Sequence, residues 1–260
     1  MKKTNQTRNI LKSIAVALLA TNALAISAYL IINARSLHEG YLISTIAHKS
    51  VKIMRPSNHN SGGTGFPVKS PSGATYTLTN AHVCGVAEKG IVHASIADSD
   101  RFYSLRVIDV STVTDLCLVE AMPGFTGLEL ADSLNIGDDV MAIGHPALLP
   151  TSLSRGRVTA FETVEILYAV NIKQDDCEAK GYIFKDMEGT VLEALFGVKS
   201  MCFGKIFAAA TNVTVFGGNS GSPVVNFWGN VVGVVFAGNN STNFGYLIPV
   251  EDVITFLEIY

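Results

Sequence analysis

The chain has 260 residues, of which 48% are hydrophobic and 16% are charged, and its formal net charge is −3. This composition excludes a disordered or strongly charged polypeptide, because such chains combine low hydrophobicity with high net charge. The slightly negative charge gives no reason to expect a nucleic-acid partner, and four cysteines are too few for a disulfide-framework miniprotein.

The N-terminal 34 residues are typical of an export signal. Residues 1–12 carry basic side chains and no acidic one, and residues 13–34 carry no charge. An uncharged segment of this length can cross the ~30 Å hydrocarbon core as a helix, and the basic tail is then expected in the cytoplasm. The sequence A-L-A at 23–25 also fits a cleavage site, so residues 13–34 are predicted to be a transmembrane anchor or a signal peptide. An anchor is favoured, because cleavage would leave the apolar residues 26–32 as the new terminus.

Both alternatives place residues 35–260 outside the cytoplasm, in the periplasm or the extracellular space. Removing the four basic residues of the tail from the net charge of −3 leaves −7 for this part. We therefore expect membrane contact through the N-terminal helix and none through a basic patch that binds anionic lipid.

From residue 40 onward, short apolar or alternating runs are separated by turn sequences, including those at 97–100 and 238–240. Many short strands at this spacing indicate an all-β barrel or sandwich. The predicted strands are 42–51, 65–68, 75–78, 91–97, 102–110, 116–122, 139–143, 155–167, 205–215, 223–227, 231–237 and 244–250.

Two segments depart from the strand pattern. After Pro249, the apolar residues Val250, Val253, Ile254 and Leu257 recur at helical spacing and predict a C-terminal helix. Residues 174–204 fit the strand spacing worst, contain a possible helical piece around 190–196, and are predicted to be an insertion.

Three motifs carry candidate catalytic residues. His82 lies in T-L-T-N-A-H-V directly after an apolar strand. Asp115 lies in T-D-L-C-L-V, at the start of another strand, and Ser220 lies in the glycine-rich G-G-N-S-G-S-P. Each motif alone is typical of an ordinary turn or strand boundary, and Asp109, one strand-length earlier, is an alternative to Asp115. A serine, however, becomes a good nucleophile only when a neighbouring base takes its proton, so the three residue types together suit nucleophilic catalysis.

The order His, Asp, Ser, with T-N-A-H, D-L-x-L and G-N-S-G-S-P, resembles the chymotrypsin-like serine peptidases, and most closely the bacterial HtrA-type catalytic domains. The likeness covers about residues 40–260 and implies two six-stranded antiparallel β-barrels followed by a C-terminal helix. Further matching segments are G-G-T-G-F at 62–66, V-M-A-I-G-H-P at 140–146, R-G-R-V-T at 155–159 and G-Y-L-I-P at 245–249.

The resemblance implies a role for each candidate. Ser220 would attack the peptide bond, His82 would act as base and then as acid, and Asp115 would orient the imidazole and stabilise its cation. The backbone N–H groups of Gly218 and Ser220 would form the oxyanion hole. His145, in G-H-P, is expected to be a turn residue rather than a second base.

The resemblance also places the substrate pocket around Thr214, Phe236, Gly238 and Gly245. Thr214 stands where trypsin-like enzymes have an aspartate, so we expect cleavage after small or medium apolar residues rather than after Lys or Arg. Asn219 stands where digestive relatives have the aspartate that pairs with a newly cut N-terminus. Activity is therefore expected not to depend on such a zymogen switch.

The four cysteines are candidates for two disulfides. If His82 and Asp115 meet, Cys84 and Cys117, each two residues further on, must lie close together, and Cys177 and Cys202 could close the insertion. Disulfides suit an exported protein, and buried free thiols are the alternative for both pairs. No cysteine lies in a C-x-x-C pair or near histidines at zinc spacing, so neither a metal nor another cofactor is predicted.

The sequence thus predicts a membrane-anchored serine endopeptidase that acts on protein or peptide substrates. One alternative is a non-catalytic, protease-like domain that binds peptides or scaffolds an assembly. Another is a peptidase of narrow scope that processes itself or one partner. HtrA-type proteins usually carry a PDZ domain after the protease, and none is expected in this sequence, which leaves the oligomeric state open.

Overall fold

The computed structural model describes residues 2–96, 99, 101–179, 182–239 and 244–260. The predicted turns at 97–100 and 238–240 therefore lie partly outside the described residues. The chain divides into two compact units, Met1–Ser44 and Thr45–Tyr260.

The N-terminal unit is helical and belongs to α1 (Lys2–Lys49). Within the described residues, Val16–Lys49 is the one stretch of helix that is long and apolar enough to cross a membrane. Length and composition suit the predicted anchor, and they suit a signal sequence equally well.

The strand predicted at 42–51 is wrong, because α1 continues to Lys49 and the first strand begins only at Val51. Leu42 and Ile46 are four residues apart and so lie on one face of the helix. The helix ends where the N–H of Ser50 donates to the carbonyl of Ile46 at 2.9 Å.

Residues 51–119 form the first barrel. Among the described residues its strands are β1 (Val51–Met54), β2 (Gly62–Lys69), β3 (Thr75–Asn80), β4 (Ile91–Ile96), β5 (Tyr103–Ser111) and β6 (Leu116–Val119). They close in the order β1-β2-β3-β6-β5-β4, and β4 pairs back onto β1. A short helix, α2 (Ala81–Cys84), follows β3, and its Val83 and Cys84 pack into the core of this barrel.

The second half forms a sheet of antiparallel strands that also closes. The described strands are β7 (Asp139–Gly144), β8 (Ser152–Val170), β9 (Ile183–Asp186), β10 (Ser200–Thr211), β11 (Pro223–Val225), β12 (Val231–Asn239) and β13 (Phe244–Pro249). The sheet runs β13-β12-β11-β7-β8-β10-β9, and β10 also pairs with β13. Within the described part of the chain, six strands thus close a second barrel and β9 extends its edge. The predicted pair of six-stranded barrels is confirmed.

The predicted C-terminal helix is α5 (Val250–Leu257), which packs against the second barrel. Val250, Val253 and Leu257 are buried, and Ile254 packs against the same core cluster. Burial of this apolar stripe stabilises the helix more than its intrinsic propensity does, because the helix is only eight residues long.

The segment between β8 and β10 contains α3 (Gln174–Glu178), β9 and α4 (Val191–Phe196). The predicted helical piece is α4, whose first turn is capped by the side chain of Thr190 and whose end is marked by Gly197 at φ 67°. A disulfide joins Cys177 in α3 to Cys202 in β10.

Candidate active site

The pairing of β3 with β6 brings the candidate base and the candidate carboxylate together. Asn80 at the end of β3 is opposite Leu116 at the start of β6. His82 follows Asn80 by two residues and Asp115 precedes Leu116 by one. Residues 33 positions apart in the chain therefore become neighbours at one end of the first barrel.

Asp115 contacts His82 at two points. Its Oδ2 lies 2.8 Å from Nδ1 of His82, and its Oδ1 accepts the main-chain N–H of His82 at 3.0 Å. The Asp115 side chain is only 6% exposed, whereas that of His82 is 48% exposed. A buried carboxylate thus holds a histidine ring that is about half exposed.

The backbone around Asp115 is unusual. Asp115 has φ 54°, in the left-handed region that a non-glycine residue rarely adopts. Its carbonyl accepts the N–H of Ala81 and the side-chain amide of Asn80, each at 3.0 Å. The alternative carboxylate, Asp109, accepts a hydrogen bond from the hydroxyl of Tyr260 at 2.6 Å. Asp115 is therefore the carboxylate that the structure places on His82.

A disulfide links the segments that carry His82 and Asp115. Cys84 and Cys117 are bonded, with their Cα atoms 6.4 Å apart. The bond joins α2, which carries His82, to β6, which follows Asp115. It is therefore one covalent link between the two segments that hold the histidine and the carboxylate.

Ser220 lies in the tight turn that precedes β11. Gly218 at φ 94° and Gly221 at φ 84° make the turn possible, and a Cβ on Gly221 would lie 2.0 Å from the carbonyl oxygen of Thr64. The Ser220 Oγ lies 3.4 Å from the carbonyl oxygen of Phe236. Among the described residues, no hydrogen bond joins Ser220 to His82. Catalytic hydrogen bonds are often long in ligand-free enzymes and shorten when substrate binds, so this geometry is compatible with attack by Ser220.

A cavity of about 730 Å³ opens beside His82 and runs between the two barrels. The carbonyl of Thr112, a lining residue from the first barrel, accepts a hydrogen bond from the hydroxyl of Tyr182, in the segment between β8 and β10, at 3.0 Å. The lining is mostly apolar. It comprises Ala81, His82, Cys84, Gly85, Val110, Thr112, Asp115, Ile166, Leu167, Tyr168, Phe236 and Ala237.

Of the four residues predicted to line the substrate pocket, Phe236 is the one that lines this cavity. Thr214 is exposed, and its N–H donates to Ser154 Oγ at 2.8 Å. Gly238 and Gly245 both face Val215, since a Cβ on them would lie 3.1 Å and 2.6 Å, respectively, from its side chain.

Residues 63–234 match the family described as the trypsin-like peptidase domain. The chain belongs to this family. The match covers more than half of the 260 residues and contains His82, Asp115 and Ser220.

Curated relatives of this peptidase domain include two bacterial proteins. The chain is 27% identical over 195 residues to the probable periplasmic serine endoprotease DegP-like of Chlamydia trachomatis serovar D, covering 72% of this chain and 31% of that protein. It is also 27% identical over 195 residues to the putative serine protease HhoA of Synechocystis, covering 73% of this chain and 40% of the relative. The chain thus spans between about a third and two fifths of the length of these relatives.

Solved structures share the fold. The active form of the Rv3671c protease from M. tuberculosis matches with a TM-score of 0.58 and 20% identity, covering 85% of this chain and 84% of that one. The serine endoprotease from Yersinia pestis matches with a TM-score of 0.57 and 19% identity, covering 84% and 64%, respectively. These likenesses support the trypsin-like architecture.

Several residues that shape the site of this peptidase domain were missed at the level of sequence. Val110, on the strand before the Asp115 motif, and residues 166–168, on a strand distant from all three motifs in the chain, line the cavity but carry only an apolar pattern. Thr64, in the G-G-T-G-F segment, donates from its hydroxyl to the carbonyl of Gly218 at 2.8 Å. The segment was recognised, but no local signal shows which residue 154 positions away its hydroxyl binds.

Proposed function

We propose that this chain is a serine endopeptidase that hydrolyses peptide bonds through an acyl-enzyme on Ser220. The observation that carries the proposal is the two-point contact of buried Asp115 with His82. Both residues line the cavity between the two barrels. A protein that only binds peptides has no use for a buried carboxylate aligned on a half-exposed histidine. The family and the names of the relatives support the same activity.

The geometry suits general base catalysis by His82. A ring that donates from Nδ1 to Asp115 leaves Nε2 unprotonated, and Nε2 can then take the proton of Ser220 as the hydroxyl attacks. The bond between Oγ and the carbonyl carbon forms and the carbonyl π electrons move to oxygen. These electrons then re-form the C=O bond, the scissile C–N bond breaks, and the imidazolium gives its proton to the leaving amine, which leaves the acyl-enzyme. Asp115 stabilises that cation without taking the proton. Water repeats the sequence to release the acid product.

The oxyanion of the tetrahedral intermediate would be bound by the N–H groups of Gly218 and Ser220. In the described residues, the hydrogen bonds of this turn use the N–H groups of Asn219, Gly221 and Ser222 and neither of these two. Both N–H groups are therefore available to a substrate oxygen. Losing one such donor typically reduces kcat by about 10²–10³.

We propose that the substrates are proteins or peptides with a small or medium apolar residue before the scissile bond. Val215 packs between Gly238 and Gly245, which the resemblance places in the pocket walls. A valine there limits depth and offers no carboxylate to a basic side chain. The apolar cavity beside His82 suits further apolar residues on the same side of the substrate.

We further propose that the peptidase domain lies outside the cytoplasm, held there by the N-terminal helix. The apolar helix and the DegP-like relatives, which are described as periplasmic, support this location. Mass spectrometry of the protein purified from membranes distinguishes an uncleaved anchor from a cleaved signal peptide. An intact N-terminus supports an anchor, and a chain that starts near residue 26 indicates a cleaved signal peptide.

Labelling with a fluorophosphonate probe tests the catalytic proposal. The full chain in detergent should become labelled on Ser220, and Ser220→Ala should abolish both labelling and peptide hydrolysis. Asp109→Asn is a matched control, because Asp109 binds Tyr260 instead of His82. If wild type stays unlabelled under conditions that label a known serine peptidase, the chain is a binding or scaffold domain and the proposal is wrong.

A further inference from the structure

The peptide unit between Gly217 and Gly218 carries the N–H of Gly218, one of the two proposed oxyanion donors. The C=O and N–H of a planar trans peptide point in opposite directions, so whatever holds the Gly217 carbonyl also aims this N–H. The carbonyl accepts the N–H of Ala147 at 2.5 Å. The turn at residues 145–149 lies directly against this peptide, since a Cβ on Gly218 would lie 2.5 Å from the carbonyl oxygen of His145.

The turn at residues 145–149, which supplies the Ala147 N–H, has an unfavourable backbone conformation. Ala147 at φ 51° and Leu148 at φ 58° are consecutive non-glycine residues in the left-handed region. Such a conformation persists only where surrounding contacts determine it. Within the turn, Leu148 N–H donates to the His145 carbonyl at 3.0 Å and Leu149 N–H donates to the Pro146 carbonyl at 2.9 Å.

The side chain of His145 supplies contacts that hold the turn from inside the protein. The residue is completely buried. Its Nδ1 lies 3.2 Å from the carbonyl oxygen of Leu149, at the other end of the turn, and its Nε2 lies 3.2 Å from the carbonyl oxygen of Ser50, next to β1. Both oxygens only accept and a neutral imidazole carries one N–H, so the tautomer decides which bond the ring donates. Protonation at Nδ1 closes the turn onto Leu149, and protonation at Nε2 fastens the turn to Ser50.

Thr64 connects the same turn to the next peptide of the oxyanion loop (residues 217–220), which carries both proposed oxyanion donors. Its buried hydroxyl accepts the main-chain N–H of His145 at 3.0 Å and donates to the carbonyl of Gly218 at 2.8 Å. The carbonyls of Gly217 and Gly218 are therefore both held by groups that depend on His145 or contact it.

We propose that the buried imidazole of His145 is a positioning residue for the oxyanion hole. It holds the left-handed turn at 147–148, the Ala147 N–H of that turn fixes the 217–218 peptide, and the peptide presents the Gly218 N–H to the developing oxyanion. The inference rests on the proposed peptidase function and adds a role for a histidine expected only to shape a turn. It predicts a defect in the transition state and not in substrate binding.

Kinetics of side-chain variants in the full chain test this role. His145→Leu removes both polar contacts and should lower kcat about 10- to 100-fold at little change in KM, within the limit set by losing one oxyanion donor. Affinity for a peptide boronate, whose tetrahedral adduct occupies the hole, should fall by a similar factor. Binding of an uncut peptide in a Ser220→Ala background should be unchanged.

Conservative variants show whether polar contact or packing matters. The amide nitrogen of Asn can replace Nδ1 of histidine and that of Gln can replace Nε2. His145→Asn should therefore restore most of kcat, because it keeps the bond to Leu149 that closes the turn, and His145→Gln should restore less. Thr64→Val, a near-isosteric change, should also lower kcat without raising KM. If His145→Leu does not fold, a higher kcat in His145→Asn than in His145→Gln supports the role of the imidazole, and equal wild-type kcat in both variants overturns it.

Thr77→Val is the matched control. Thr77 is equally buried, and its hydroxyl accepts the N–H of Met122 at 3.1 Å in the first barrel, away from the oxyanion loop. It should reduce stability and leave kcat unchanged. Suppose that the wild type is active and His145→Leu folds. If the variant then has an unaltered kcat, or only a raised KM, this inference alone is overturned. An inactive wild type overturns the proposed function and this inference with it.

Discussion

Both carboxylate oxygens of Asp115 bind His82, one at the ring Nδ1 and the other at the main-chain N–H. If Asp115 contacted only the ring of His82, the Asp115 side chain and the ring could rotate together relative to the backbone. The second contact ties Asp115 to the backbone of α2, so that the ring and its orienting group move together.

Asp115→Asn is expected to lower kcat by about 10⁴ at neutral pH, since an amide in this position favours the wrong imidazole tautomer. Stability should change little, because the backbone contacts of residue 115 remain. Steady-state hydrolysis of a peptide substrate and a thermal unfolding curve measure the two effects. A variant with near-normal kcat would show that Asp115 has no part in catalysis.

Loss of the Cys84–Cys117 disulfide should lower both stability and kcat. Replacing both cysteines with serine removes the link between α2 and β6, and a loop of this length typically contributes about 2–4 kcal/mol. His82 would then be held less firmly against Asp115. Chemical unfolding and kcat on a short peptide provide the measurements.

The double variant Cys177→Ser, Cys202→Ser is the control for that experiment. It removes the other disulfide, which closes the segment between β8 and β10 and links neither α2 nor β6. We expect a comparable loss of stability with kcat unchanged. Equal losses of kcat in the two double variants would contradict a local effect at α2.

Val215→Gly should change which substrates are cut. Removing the side chain between Gly238 and Gly245 deepens the pocket, so preference should shift from small apolar residues toward Phe or Leu by about 10-fold or more. A peptide-library cleavage profile measures the shift. Val232→Ala, in the core of the second barrel, should cost stability without changing the profile, and a similar shift there would refute the assignment.

Alkaline pH should destabilise the protein through Tyr260. Burial, followed by its hydrogen bond to Asp109, raises the pKa of Tyr260 to about 12. A raised pKa means that the folded state keeps the phenol proton longer than the unfolded chain, whose tyrosine titrates near ~10. This contribution is complete below pH ~10 and is lost as the pH rises toward 12. Unfolding free energies of wild type should fall across this range, and those of Tyr260→Phe should fall less.

The strand positions illustrate how far the sequence could be interpreted. Most runs of alternating or apolar residues became strands, because burial on one or both faces of a sheet produces that pattern directly. The segment at 42–51 did not, since Leu42 and Ile46 suit a helix as well as a strand and the preceding helix extends through them. Over so few residues, the local pattern alone does not distinguish the 3.6-residue period of a helix from the two-residue period of a strand.

The low share of charged residues belongs to the part of the chain beyond residue 34 and is not caused by the apolar N-terminus. The apolar N-terminus accounts for part of the hydrophobicity, and the residues beyond 34 remain just as poor in charge. Valine-rich strands and glycine turns that close two barrels need few charges in their cores.

The amino-acid sequence by itself determined the all-β class, the C-terminal helix, the apolar N-terminal segment and the three motifs, because each depends on residues close together in the chain. Only the tertiary structure decided that Asp115 and not Asp109 meets His82, that Val215 lies between two glycines, and that buried His145 belongs to a turn packed against Gly218. Those relationships depend on strand register and on contacts between residues up to 154 positions apart. A pairing at that distance leaves no trace in either residue's own neighbourhood.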